Sequence, residues 1–156
     1  MSNLTIVIID DEKKLRELLK EYINMIFPNH KHEIILCNSV KTGIEAIETY
    51  LPDLVFLDIE MPEANGFELL KNVNRETFEV VFTTAYAQYM EQSINDYGCF
   101  GYILKPFDRE KLKTILHSIL SNNLVEDMYD EEEIKEIIFN YMYNDNKDAK
   151  TNAQHK

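Results

Sequence analysis

VIIDDE, Val7 to Glu12, is the stretch on which the reading of this chain turns. Apolar β-branched residues run without a break into three acids. Neighbouring carboxylates repel, and each one withdrawn from water resists ionisation. Such a run makes physical sense where a buried strand ends and its acids meet either water or a positive charge.

Working outward, the same kind of run recurs. LTIVII (4–9), EIILC (33–37), DLVFL (53–57) and EVVFTT (79–84) are short, β-branched or aromatic, and end at polar clusters; FGYIL (100–104) leads into Lys105-Pro106. Runs that are apolar on both faces suit a parallel sheet covered on both sides. Helical spacing fills the intervals. Residues 12–26 carry Leu15, Leu18, Leu19, Tyr22, Ile23 and Ile26, and residues 40–50 carry Ile44 and Ile47, with Leu51 continuing the stripe and Ser39 as N-cap. Residues 65–73 and 87–97 are shorter candidates. Residues 108–121 place Leu112, Ile115, Leu116, Ile119 and Leu120 on one face, with Asp108 as N-cap. Gly66 is expected to supply a positive φ at a turn. Strand then helix, five times over, predicts a doubly wound α/β fold whose site lies at the carboxyl ends of the strands.

That rule collects the polar residues at one sheet edge. Asp10, Asp11 and Glu12 follow the first strand, Asp58 and Glu60 the third, Thr83 and Thr84 close the fourth, and Lys105 follows the fifth. Three carboxylates with a lysine opposite form a hard-cation site of the kind that suits Mg²⁺. The lysine adds a charge suited to phosphate. A carboxylate in that setting is a candidate nucleophile for an aspartyl phosphate, with Thr84 able to hydrogen-bond a phosphoryl oxygen. A cis Lys105-Pro106 bond would turn the lysine back towards the acids.

Composition bounds the rest. The chain has 156 residues, 45% hydrophobic, with a net charge of -12. That length suits one domain with a proper core. The charge argues against non-specific nucleic-acid binding and favours cationic partners or metal ions. Cys37 and Cys99 stand apart in apolar contexts and read as buried hydrophobes. No run approaches a membrane span, and the apolar segment at the N-terminus is too short for a signal peptide, so a cytoplasmic protein is expected. After Asn122 the composition changes. Residues 126–136 are strongly acidic, Ile134, Ile137, Ile138 and Tyr141 form an amphipathic helical stripe, and 144–156 read as a disordered tail.

VIIDDE, LVFLDIEMPEANGFELL, VVFTTAYAQY and GYILKPFD together resemble the receiver domain of two-component response regulators, over residues 4 to about 121. The resemblance implies a flavodoxin-like, five-stranded parallel sheet of order 2-1-3-4-5 with flanking helices, to which the stripe after Asn122 adds a C-terminal amphipathic helix. The expected organisation is a receiver domain at 1–122, an acidic linker and amphipathic helix at 123–143, and the tail at 144–156. The resemblance further implies that Asp58 is the phosphoacceptor and that Asp10, Asp11, Asp58 and the backbone carbonyl of Glu60 hold Mg²⁺. It makes Thr84 the switch hydroxyl, Tyr102 the switch aromatic and Lys105 the phosphate-contacting lysine. Thr84 is preferred to Thr83 because it precedes Ala85, where the family keeps a small residue. The phrasing is most similar to receivers attached to LytTR-type DNA-binding domains, except that Gly101 stands where that subfamily commonly has an acid.

The implied partner is a histidine kinase or phosphotransfer protein. Output is expected through protein contact, including a homodimer through the 87–121 face, with no direct nucleic-acid binding by this chain. Glu60 and Tyr86, each two residues past a key residue, are placed to border the phosphoryl group and tune its hydrolysis. The alternatives are a receiver fragment of a LytTR-type transcriptional regulator and a pseudo-receiver that works without phosphorylation. A third rival is a multiple-turnover phosphohydrolase of the haloacid-dehalogenase type. That class places a second aspartate two residues after its nucleophile, whereas Glu60 stands there, so the expectation is a phosphoacceptor and not an enzyme.

Overall fold

A computed structural model describes residues 3–28 and 31–125. Strands β1 (Leu4–Ile9), β2 (His32–Cys37), β3 (Leu54–Asp58), β4 (Glu79–Thr84) and β5 (Gly101–Leu104) alternate with helices α1 (Lys13–Ile26), α2 (Val40–Tyr50), α3 (Gly66–Lys71), α4 (Met90–Asn95) and α5 (Arg109–Val125). The sheet is parallel, in the order β2-β1-β3-β4-β5. Its order reverses between β1 and β3, which places the crevice of a doubly wound sheet beyond the ends of those two strands. The chain divides into two units, Met1–Lys113 and Thr114–Lys156. The sheet and the site belong to the first.

The sheet is buried because its central strands are apolar on both faces. Val7, Ile9, Val55, Leu57, Val80 and Phe82 share a cluster with Ala46 and Ile47 of α2 and Phe67, Leu69 and Leu70 of α3. By the two-residue alternation of a strand, Ile6, Ile8, Leu54, Phe56, Val81 and Ile103 point to the other face, and all are buried, as are Leu19 and Ile23 of α1. Hydrophobic side chains withdrawn this fully are the main favourable contribution to the fold.

Caps set the helix starts. Ser39 and Thr42 form a reciprocal capping box on α2, with Thr42 N donating to Ser39 Oγ at 3.1 Å. Asn65 accepts from Glu68 N at 3.0 Å, and Asp108 accepts from Glu110 N at 2.9 Å. Other expectations change. Leu51 does not continue the buried stripe of α2. It is the C-cap, in left-handed backbone with φ 47°, and is 69% exposed. The expected helix over 87–97 is a single 3₁₀ turn, Ala87–Tyr89, followed by the short α4. Gly66 does not have a positive φ; among the described glycines Gly98 does, at 55°. Gly66 is needed for close approach instead. A Cβ there would lie 2.5 Å from the carbonyl oxygen of Asp58. The acidic linker, the stripe Ile134, Ile137, Ile138 and Tyr141, and the tail 144–156 lie outside the described residues.

Candidate functional site: an acidic cleft at the strand ends

Asp10 directly follows β1, and Asp58 is the last residue of β3. Both are buried, at 2% and 3% exposure, whereas Asp11 is exposed. Each strand thus delivers one carboxylate into the interior of the crevice. One carboxylate oxygen from each of Asp10, Asp11 and Asp58 lies within 4.8 Å of the other two.

Lys105, just past β5, enters from the other side. Its Nζ lies 2.8 Å from Asp10 Oδ2 and 3.4 Å from Asp58 Oδ2. The Lys105-Pro106 bond is cis, as the sequence suggested, and Lys105 N donates to the Thr84 carbonyl at 2.8 Å. The backbone braces the acids too. Asp10 Oδ1 accepts from Glu12 N at 2.9 Å, and Asp58 Oδ1 accepts from Glu60 N at 3.3 Å. Arg16 Nη1 donates to the Asp10 carbonyl at 2.7 Å. Gly66 N donates to the Ile59 carbonyl at 2.8 Å, closing the connection after β3.

The electrostatics follow from this crowding. Burial, and then the neighbouring charge of Asp10, push the Asp58 carboxyl up to about 7; Lys105 pulls it down without restoring the usual value. Burial opposes the Lys105 ammonium, but its hydrogen bond to Asp10 and the charges of Asp58 and Asp10 outweigh that, so its pKa is raised. One ammonium does not balance the acids. The donor set is all carboxylate, converges within a few ångströms and carries excess negative charge, which fits a hard divalent cation such as Mg²⁺.

Beyond the acids, Thr84 is fully buried, and its Oγ1 accepts from Tyr86 N at 3.2 Å; Thr83 is buried as well, and its carbonyl accepts from Ile59 N. Tyr102 is buried, and its hydroxyl donates to the Tyr86 carbonyl, tying β5 to the connection after β4. Burial holds that phenol well above its ordinary pKa. Glu60 and Tyr86 are both exposed, but neither is idle. Glu60 Oε1 accepts from the Tyr89 hydroxyl at 2.6 Å, and the Tyr86 ring meets the Tyr89 ring edge-on. Tyr89 is the residue that sequence reasoning missed. No spacing signal links it to Glu60, because the contact joins two connections 29 residues apart. Cys37 and Cys99 are free thiols, the first buried and the second half-buried, and burial pushes them up to about 11 and about 12.

Comparison with known proteins agrees with this fold. Residues 6–117 match the response regulator receiver domain family. An uncharacterized response regulatory protein of Yersinia pestis is 40% identical over 124 residues, covering 78% of this chain and 50% of that protein. The sensory transduction protein LytT of Oceanobacillus iheyensis is 36% identical over 122 residues, covering 73% of this chain and 47% of its own length. The chain thus spans about half the length of the curated relatives it matches. Among solved structures, a CheY-like receiver domain protein from Methanospirillum hungatei superposes with a TM-score of 0.65 at 26% identity, covering 78% of this chain and 98% of that one. The signal receiver domain of a Luxo repressor protein from Vibrio parahaemolyticus has the same fold, with a TM-score of 0.69 at 23% identity, covering 81% and 97%.

Proposed function

Because the chain belongs to the response regulator receiver domain family, we propose that it is a phosphoacceptor in two-component signal transduction, with Asp58 taking a phosphoryl group from a histidine kinase or phosphotransfer protein. The observation that carries this reading is the buried carboxylate pair with the Lys105 ammonium against both members.

Transfer breaks the phosphorus–nitrogen bond of a phosphohistidine and forms a bond from phosphorus to a carboxylate oxygen of Asp58. The leaving imidazole keeps the electron pair. Asp10, Asp11, Asp58 and the backbone carbonyl of Glu60 would hold Mg²⁺, which when bound neutralises charge on the phosphoryl oxygens. Lys105 is already poised at Asp58 and supplies a fixed positive charge to the incoming group. Thr84 Oγ1 stands near the same strand edge with a hydroxyl proton to donate. Drawing Thr84 towards a phosphoryl group competes with its contact to Tyr86 N. The Tyr86 carbonyl in turn holds the Tyr102 hydroxyl, so the change reaches β5 through two hydrogen bonds.

The chain is then a switch and not a multiple-turnover enzyme, and it works in the cytoplasm with its kinase. Its output is protein contact over residues 87–121, including contact with a second copy. A second reading has a specific observation in its favour. The chain spans about half of relatives that include LytT, which suits the receiver portion of a DNA-binding regulator. Among the described residues no helix is long and apolar enough to cross a membrane.

The test is intact-protein mass after incubation with acetyl phosphate and Mg²⁺. A single phosphoryl adduct on wild type and none on Asp58→Asn is the expected result. No adduct on either, with no binding of beryllofluoride, would leave a pseudo-receiver. Turnover of a phosphomonoester far beyond one equivalent would make the chain a phosphohydrolase.

A further inference from the structure

Two connections form the rim of the acidic cleft, and one side-chain hydrogen bond spans them. The connection after β3 carries Glu60, whose amide already binds Asp58 Oδ1 at 3.3 Å, so its side chain starts at the edge of the site. The connection after β4 carries Tyr89, whose hydroxyl donates to Glu60 Oε1 at 2.6 Å. That is a short, charge-assisted contact.

Tyr89 is held for this role from several sides. Its ring meets Phe67 edge-on at 6.1 Å and Tyr86 edge-on at 6.3 Å. Its carbonyl accepts from Ser93 Oγ at 2.7 Å, and Ser93 is fully buried. Phe67 is itself stacked on Tyr97 at 4.6 Å and packed against Phe82 of β4. The hydroxyl is therefore aimed by an anchored ring at the exposed Glu60 carboxylate.

Building on the phosphoacceptor reading above, we propose that Tyr89 is a positioning residue that latches the Glu60 carboxylate away from the phosphorylated Asp58 and so lengthens the life of the phosphorylated state. Hydrolysis requires water to attack phosphorus. A bond forms from the water oxygen to phosphorus, the bond from phosphorus to the Asp58 oxygen breaks, and Asp58 leaves as a carboxylate with inorganic phosphate as the other product. The attacking water gives up a proton, and a carboxylate at the rim is a suitable acceptor. While Tyr89 holds Oε1, Glu60 is directed towards the start of α4. Released, it swings freely over the cleft mouth, two residues from the acyl phosphate.

The test follows the decay of the phosphorylated full chain by intact mass, after removal of acetyl phosphate with Mg²⁺ kept present. Tyr89→Phe retains the ring and its aromatic contacts and removes only the hydroxyl. It is expected to lose its phosphoryl group about fivefold faster than wild type, the shift that one hydrogen bond of ordinary strength controls. In a Glu60→Ala background the same substitution is expected to change nothing. A Tyr89→Phe lifetime equal to wild type overturns the latch. So does an equal acceleration with and without Glu60, which would mean that Tyr89 acts through packing alone. These results are separable from failure of the phosphoacceptor reading, in which wild type carries no adduct at all and both conclusions fall.

Discussion

Asp58 holds a proton over a range in which an ordinary aspartate has lost it. Its carboxyl is pushed from 3.8 to about 7 by burial and by Asp10. The sign of the consequence follows from linkage. Between those two values the folded chain binds more protons at this site than the unfolded chain does, so in the absence of divalent metal stability falls as pH rises through that window. Asp58→Asn removes the effect and is expected to be more stable than wild type at the upper end, by on the order of 3 kcal/mol, and close to wild type near the lower end. Urea unfolding of both proteins across the window, with chelator present, reads this directly. If the two curves ran parallel, burial would not be working against the charge. Asp10, Asp58 and Lys105 were legible in the sequence because strand ends in a doubly wound sheet share one edge, so residues far apart in the chain could be placed together without coordinates. Tyr89 was not legible. Its contact depends on side-chain reach between two irregular connections, where no period constrains which residues meet.

Elements were legible where their physical cause is local. Ser39 as a cap and the apolar runs of β1, β3 and β4 carry their own signals, in hydroxyl chemistry and in two-faced burial. Leu51 and Gly66 misled because their roles are set by what surrounds them. Leu51 falls one residue past the point where α2 ends. Gly66 serves as the place where the start of α3 touches the backbone of β3, 2.5 Å from where a Cβ would sit. The obstruction is a backbone oxygen at the end of a central strand, which has little room to yield. Gly66→Ala is therefore expected to destabilise the fold by about 1–3 kcal/mol through overpacking, and to displace Asp58 as well. A lowered urea midpoint together with a weakened phosphoryl adduct is the expected pair of readings. A variant as stable and as readily phosphorylated as wild type would mean that the two elements can separate freely. Ser39→Ala, which removes one side of the capping box, is expected to cost about 1 kcal/mol and to leave the adduct unchanged.

The whole chain carries a net charge of -12 and gathers three of its carboxylates within a few ångströms. A cation that binds only the folded state stabilises it by mass action. Mg²⁺ at about a hundred times its dissociation constant is expected to add about 2.7 kcal/mol, seen as a higher melting temperature than in NaCl of equal ionic strength. Asp11→Asn should lose most of that gain with little change in the metal-free melt, since Asp11 is exposed. Equal melting in both salts would argue that the acids hold no divalent ion. The charge layout also bears on how the molecule is made. Asp10 and Asp58 sit on the first and third strands, and Lys105 follows the fifth. Translation delivers the two acids first and their ammonium only near the end of the sheet. A nascent chain that has emerged as far as β4 holds the strands needed to bring the acids together but lacks the ammonium that sits against both of them. Docking of β5 and the first neutralisation of the site are thus a single late step, and a ribosome-bound fragment ending before residue 105 should resist closing its own cleft.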